Sequence, residues 1–263
     1  VPTIQLKDIS IHYLKEGSGP PLVLLHGMGN NAKSWIHQME YFKNHYTVIA
    51  WDAPGYGNSS DPNEVFQNFS QFTDCLKQFL DQLNLDKIFL LGHSMGAAVA
   101  IDFATRFPNI VDKLVIAAPT RGSAGLTEEE NVKKRNQRHH LIDYTSSDEI
   151  ARTRVPSLLS PSASESVTKY AEEIMSEVRP AGYKSVSNSL FHLNQMDDYS
   201  KILMPTLIIC GNDDQVTPVS ESEIIVQNIT NGKLEIIQKA GHLCYMERRD
   251  AFNQCLSEFL NTK

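Results

Sequence analysis

The sequence predicts an α/β fold, a mostly parallel central sheet flanked by helices, with a helical insertion placed over it as a lid. Three observations predict it. Continuous apolar runs closed by glycine, such as "PLVLLHG" and "DKIFLLG", have the pattern of strands buried on both faces. Segments of helical period separate these runs, as parallel strands with crossover helices require. Between residues 121 and 200 the alternation stops and only helical signals remain.

Taken in order, two short strands are expected near Ile4–Lys7 and Ser10–Lys15, with "DIS" turning between them and "EGSGPP" ending the second. "PLVLLHG" is a buried strand, and a helix is expected over Ala32–Lys43. "YTVIAWDAPGYG" is a strand running into a Gly/Pro loop. From Ser70 to Leu83 the apolar residues Phe72, Leu76, Phe79, Leu80 and Leu83 recur with helical period. "DKIFLLG" is a strand, 96–106 a helix and "VDKLVIAAP" a strand. In the insertion, Thr127 and Glu130 form a capping box, "SSDE" and "SASESVTKYAEEIMSEV" mark a second and a third helix, and Pro180 opens a fourth. The α/β pattern then resumes with the strand "MPTLIICG", a helix at 219–228, the strand "KLEIIQKAG" and a last helix at 248–260. Residues 1–120 and 201–263 are thus expected to form the core, and 121–200 the cap.

The 263 residues suffice for one large core. A formal net charge of −7 with no basic stripe argues against nucleic acid, and no apolar run approaches the length of a membrane span. The basic cluster Lys133, Lys134, Arg135, Arg138, His139, His140 is balanced by flanking acids and reads as a solvated helix face. Cys75, Cys210, Cys244 and Cys255 lack metal-ligand spacing and read as reduced thiols. Residues 1–20 have no basic stretch leading into an apolar one, so no signal peptide is expected and the expected location is cytoplasmic.

The chemistry starts at Gly92-His93-Ser94-Met95-Gly96, where a buried strand becomes a helix. A tight turn there forces its central residue into strained backbone geometry and needs very small neighbours. It leaves a serine hydroxyl exposed above the sheet, at the positive end of a helix. A serine needs a base. His242, in the loop after the last strand, lies on the same sheet edge, whereas His12, His37, His45, His139, His140 and His192 lie in helices, strands or the insertion. His26 is assigned to tying its loop, and His93 to pointing away from Ser94 across the turn. The base needs a carboxylate, and "CGNDDQVTP" offers Asp213 and Asp214, one for His242 and the other for capping the turn. The backbone N–H groups of Met95 and Met28 are the expected oxyanion donors, with Gly27 and Gly29 allowing close approach. Arg121, at the handover from strand to cap, is read either as the group that holds a substrate carboxylate or as the partner of a cap acid such as Glu128 or Glu129.

These motifs, "HGMG", "WDAPGYGNS", "GHSMG", "GNDDQVTP" and "AGHLCYME", taken in order, resemble the α/β-hydrolase family throughout the chain. The resemblance implies the α/β-hydrolase fold, and its G-x-x-D-x-x-x-P pattern, from Gly211 to Pro218, puts the acid at Asp214. "AWDAPGYGNS" and "RPAGYKS" are similar to the branch of 3-oxoadipate enol-lactonases and carboxylesterases. A serine nucleophile, in place of the aspartate of haloalkane dehalogenases and epoxide hydrolases, implies acyl chemistry at a carbonyl without metal or organic cofactor. The expected partner is therefore a small ester or lactone. The alternative is a C–C hydrolase of vinylogous diketones, whose relatives tend to carry Trp after the "GH" of the last loop and Asn before the serine, where this chain has Leu243 and His93. A ligand-binding receptor on the same fold is the third reading.

Overall fold

The computed structural model describes residues 2–262. Its eight strands are β1 (Thr3–Gln5), β2 (Ser10–Glu16), β3 (Pro21–Leu25), β4 (Thr47–Trp51), β5 (Ile88–His93), β6 (Val111–Ala117), β7 (Thr206–Gly211) and β8 (Gly232–Ile237). They form one sheet in the order β1-β2-β4-β3-β5-β6-β7-β8, parallel except for the antiparallel pairs β1–β2 and β2–β4. The central strands are apolar without alternation because both faces are covered. Leu22–Leu25, Leu114–Ala117 and Leu207–Cys210 are all buried.

The core helices are α1 (Ile36–Phe42), α2 (Phe69–Gln82) and α3 (Met95–Arg106). The cap helices α4 (Glu128–Tyr144), α5 (Ser147–Arg154), α6 (Glu165–Met175) and α7 (Pro180–His192) follow. After β7 come α8 (Val219–Gln227), α9 (Cys244–Glu247) and α10 (Arg249–Leu260). The helix expected over Ala32–Lys43 is divided. Residues 32–35 form a 3₁₀ turn before α1, because the Asn31 side chain accepts from the Lys33 amide and starts the helix tightly. The expected final helix at 248–260 is α10, undivided, and Arg248 (φ −127°, ψ 50°) separates it from the additional short helix α9. Thr127 and Glu130 make the reciprocal capping box that starts α4, each bonding the other's end of the first turn.

Register decides where the site falls. Leu25 pairs with Gly92, His93 with Ala117, and Ala117 with Ile209. The loops leaving the C-terminal ends of β3, β5, β6 and β7 therefore gather at one sheet edge, where open α/β sheets bind ligands. The cap is strapped over that edge. The Arg179 guanidinium donates to the carbonyls of Gly57 and Ser59 and to Asp61. Gln195 donates to the Ala98 carbonyl at 2.8 Å, and the Phe66 amide donates to Ser185 at 3.0 Å. Gly55 and Gly182 bring their backbones into direct contact, so a Cβ on either would collide with the other's main chain.

Candidate active site

Ser94 sits between β5 and α3 at φ 53°, ψ −112°, a conformation that costs a non-glycine residue free energy and persists only when its surroundings impose it. The surroundings are the two glycines. A Cβ on Gly92 would strike the Gly96 carbonyl, and one on Gly96 would strike the carbonyls of Leu25 and His26. The close approach of β3 to the start of α3 thus fixes the turn. Its consequence is a serine facing the cleft at a helix N-terminus.

His242 reaches the same cleft from the loop after β8. Its Nδ1–H donates to Asp214 Oδ2 at 2.8 Å, which leaves Nε2 unprotonated and free to act as a base. Asp214 is almost fully buried. Burial works against its charge, but His242 and the bonds from Thr217 outweigh it, so the carboxyl stays below its ordinary range. Oδ1 accepts from the amides of Val216 (2.8 Å) and Thr217 (2.9 Å), and Oδ2 accepts from the Thr217 hydroxyl (2.8 Å). The turn is therefore capped by Asp214 itself. This corrects the expectation for Asp213, whose side chain has no hydrogen-bond partner among the described residues. The one aspartate both orients His242 and closes the loop. Ser94 and His242 line the same cleft, and no hydrogen bond joins their side chains among the described residues.

Around this group the loops are held by buried histidines. His26 Nδ1–H donates to the Gly27 carbonyl at 2.9 Å, while Nε2 accepts from the Ala53 amide at 3.0 Å, which ties the β3 loop to the β4 loop. His93 does not simply turn away from the site. Its Nε2–H donates to the main-chain carbonyl of His242 at 2.8 Å, and the two rings lie 4.8 Å apart. Burial, with a smaller contribution from His242, pushes its pKa down to about 3, so it is neutral at pH 7. Met28 and Met95 both line the cleft, and their amides have no acceptor among the described residues. Met95 is the first residue of α3, where an unpaired N–H is expected.

A family model for the alpha/beta hydrolase fold matches residues 20–249. The chain belongs to the α/β-hydrolase family. An (E)-2-((N-methylformamido)methylene)succinate hydrolase of Acinetobacter baylyi is 28% identical over 99% of this hydrolase and 98% of its own length. 3-Oxoadipate enol-lactonase 2 of the same organism is 26% identical over 97% and 94%. A 2-hydroxy-6-oxo-2,4-heptadienoate hydrolase of Pseudomonas putida is 29% identical over 93% and 90%. Among solved structures, a thermophilic esterase from Thermogutta terrifontis superposes with a TM-score of 0.91 at 23% identity, covering 99% of this chain and 98% of that one, which shows the shared fold.

The hydrolase's cleft is a cavity of about 150 Å³ between the sheet edge and the cap, the size of an interior cavity that takes a benzene-sized guest. Arg121 does not line it. Its Nε and Nη2 donate to Glu221 of α8, the latter at 2.7 Å, and its backbone amide donates there as well. It is a structural ion pair, and the acid it meets is neither Glu128 nor Glu129. The cations that do face the cleft are Lys134 and Arg138 from α4 and Arg154 from α5. The first two belong to the cluster expected to be a solvated face. The signal available in the sequence was their i, i+4 spacing, which puts both on one side of a helix. Thr217 was also missed. Its place before Pro218 in the loop motif is its only mark in the sequence.

Proposed function

We propose that this α/β hydrolase cleaves small carboxylic esters or lactones with Ser94 as nucleophile, His242 as base and Asp214 as the orienting acid. The observation that carries the reading is the 2.8 Å bond from His242 Nδ1 to buried Asp214, in a cleft shared with a serine held at φ 53°. In the proposed cycle His242 Nε2 takes the Ser94 proton as Oγ attacks the carbonyl carbon. The amides of Met28 and Met95 hold the oxyanion, and its collapse expels the alkoxide, which takes the proton from His242. Water, deprotonated by the same nitrogen, then attacks the acyl-enzyme, the acid leaves, and the proton returns to Ser94. No step calls for a cofactor. The four cysteines, all unpaired, suit the cytoplasmic location we assign to it.

A second reading, hydrolysis of a C–C bond in a vinylogous diketone, has support from the similarity to the P. putida hydrolase. His93 before the serine and Leu243 after His242 weigh for the ester reading. Turnover of 4-nitrophenyl acetate, a γ-lactone and a 2-hydroxy-6-oxo-dienoate, measured side by side, separates the two. The ester reading expects sustained turnover of the first two, at a kcat/KM at least tenfold above that of the third. The reverse order would establish the C–C reading, and stoichiometric binding without turnover a receptor.

A further inference from the structure

The roof of the cleft carries a concentration of positive charge that the catalytic scheme does not use. Arg138 projects from α4 and Arg154 from the last turn of α5, and both line the cavity that holds Ser94 and His242. Among the described residues no carboxylate pairs with either, although fourteen other cation–carboxylate contacts join residues elsewhere and the chain is acidic overall. Lys134, at the rim, is different, since it shares the fields of Glu130 and Glu221.

Two guanidiniums that line one cavity without an acid between them oppose each other; Arg154 is exposed to solvent, while Arg138 is half-buried and loses part of the water that would screen it. Arg138 feels both effects. Burial and, to a lesser degree, the charge of Arg154 hold it below the ordinary guanidinium range. Arg154 gains some relief from the carbonyl end of α5, while Arg138 lies in mid-helix and gains none. Tyr183, buried in the same wall, adds a hydroxyl near both, and both arginines ease its ionisation against the effect of burial. An anion placed between the two guanidiniums would relieve their mutual opposition. The planar fork of each guanidinium suits the two oxygens of a carboxylate.

We propose that Arg138 and Arg154 form an anion subsite in the cap, and that the preferred substrate is a small ester or lactone with a free carboxylate a few carbons from the scissile carbonyl. The proposal rests on the ester and lactone reading above and specifies its substrate class. It assigns the carboxylate to the cap, away from Arg121, whose charge Glu221 already satisfies.

A matched pair of substrates tests it, 4-nitrophenyl hydrogen glutarate and its uncharged counterpart 4-nitrophenyl pentanoate. The wild-type kcat/KM for the anionic ester is expected to exceed that for the neutral one by tenfold or more, equivalent to about 1.4 kcal/mol. The preference collapses in Arg138→Gln and in Arg154→Gln, mainly through KM, and returns in part in Arg138→Lys. Lys133→Gln removes the same charge from the exposed side of the same helix and keeps the preference. Glutarate alone raises the thermal midpoint of the wild type more than inorganic phosphate does, and its effect vanishes in Arg138→Gln. Equal rates on the two esters in the wild type, or variants that lose both alike, would overturn the subsite while leaving the hydrolase reading intact. Glutarate stabilisation that depends on Arg138, with neither ester turned over, would uphold the subsite and overturn the hydrolase reading.

Discussion

At the scale of single residues the two neighbouring aspartates of the β7 loop separate cleanly. Asp214 accepts three bonds within its own loop and one from His242, whereas the Asp213 side chain has no partner among the described residues. Asp214→Asn is expected to lower kcat on the order of 10³–10⁴-fold, because an amide cannot hold His242 in the working tautomer. Asp213→Asn is expected to change stability by less than about 0.5 kcal/mol, as surface substitutions do. Steady-state kinetics and urea melts on the two variants check this, and a larger kinetic loss in the Asp213 variant would reverse the assignment. The family pattern selected Asp214, but the capping role was misplaced. Capping depends on which way each side chain turns, and residue identity does not reveal that when two aspartates are adjacent.

At the scale of elements, His93 ends β5 and holds the loop after β8 through the His242 carbonyl. Its folded pKa of about 3 lies below the ordinary value of 6.5, so its contribution to stability is complete above about pH 6.5 and is lost as pH falls toward 3. At pH 4.5 the loss from this residue is about 2–3 kcal/mol. Urea unfolding at pH 7.5 and pH 4.5 should give a difference smaller by about that amount in His93→Asn than in the wild type. An unchanged difference would remove His93 as the acid-sensitive group. The strand-to-helix turn at Ser94 was legible in the sequence because it is local. Glycines at 92 and 96 are demanded by backbone collisions, and an apolar run followed by a helical period marks the crossing. The link from His93 to His242 was not legible, because it spans 149 residues and exists only once β5 and the β8 loop are adjacent.

At the scale of the whole molecule, the loops at one sheet edge bring Ser94 and His242 to a cleft that the helices of residues 121–200 also line. Alternating runs made the sheet readable, and the interruption at residues 121–200 made the cap readable as helices. The facing of those helices was not readable. Arg121 meets an acid 100 positions away, and Lys134 and Arg138, two of the six residues of a cluster that looked like a solvated face, turn into the cleft. Helical period assigns an inner face by its apolar residues, and α4 has few, so its orientation is set by contacts with α5 and α7. The central claim remains the one at Ser94, and covalent labelling tests it most directly. The native protein is incubated with a fluorophosphonate, its intact mass is measured, and the adduct is located by peptide mapping. The account predicts one adduct per chain, on Ser94, with loss of esterase activity in proportion to labelling and no adduct in Ser94→Ala. Labelling of another serine with the same loss of activity, or full esterase activity in Ser94→Ala, would contradict it.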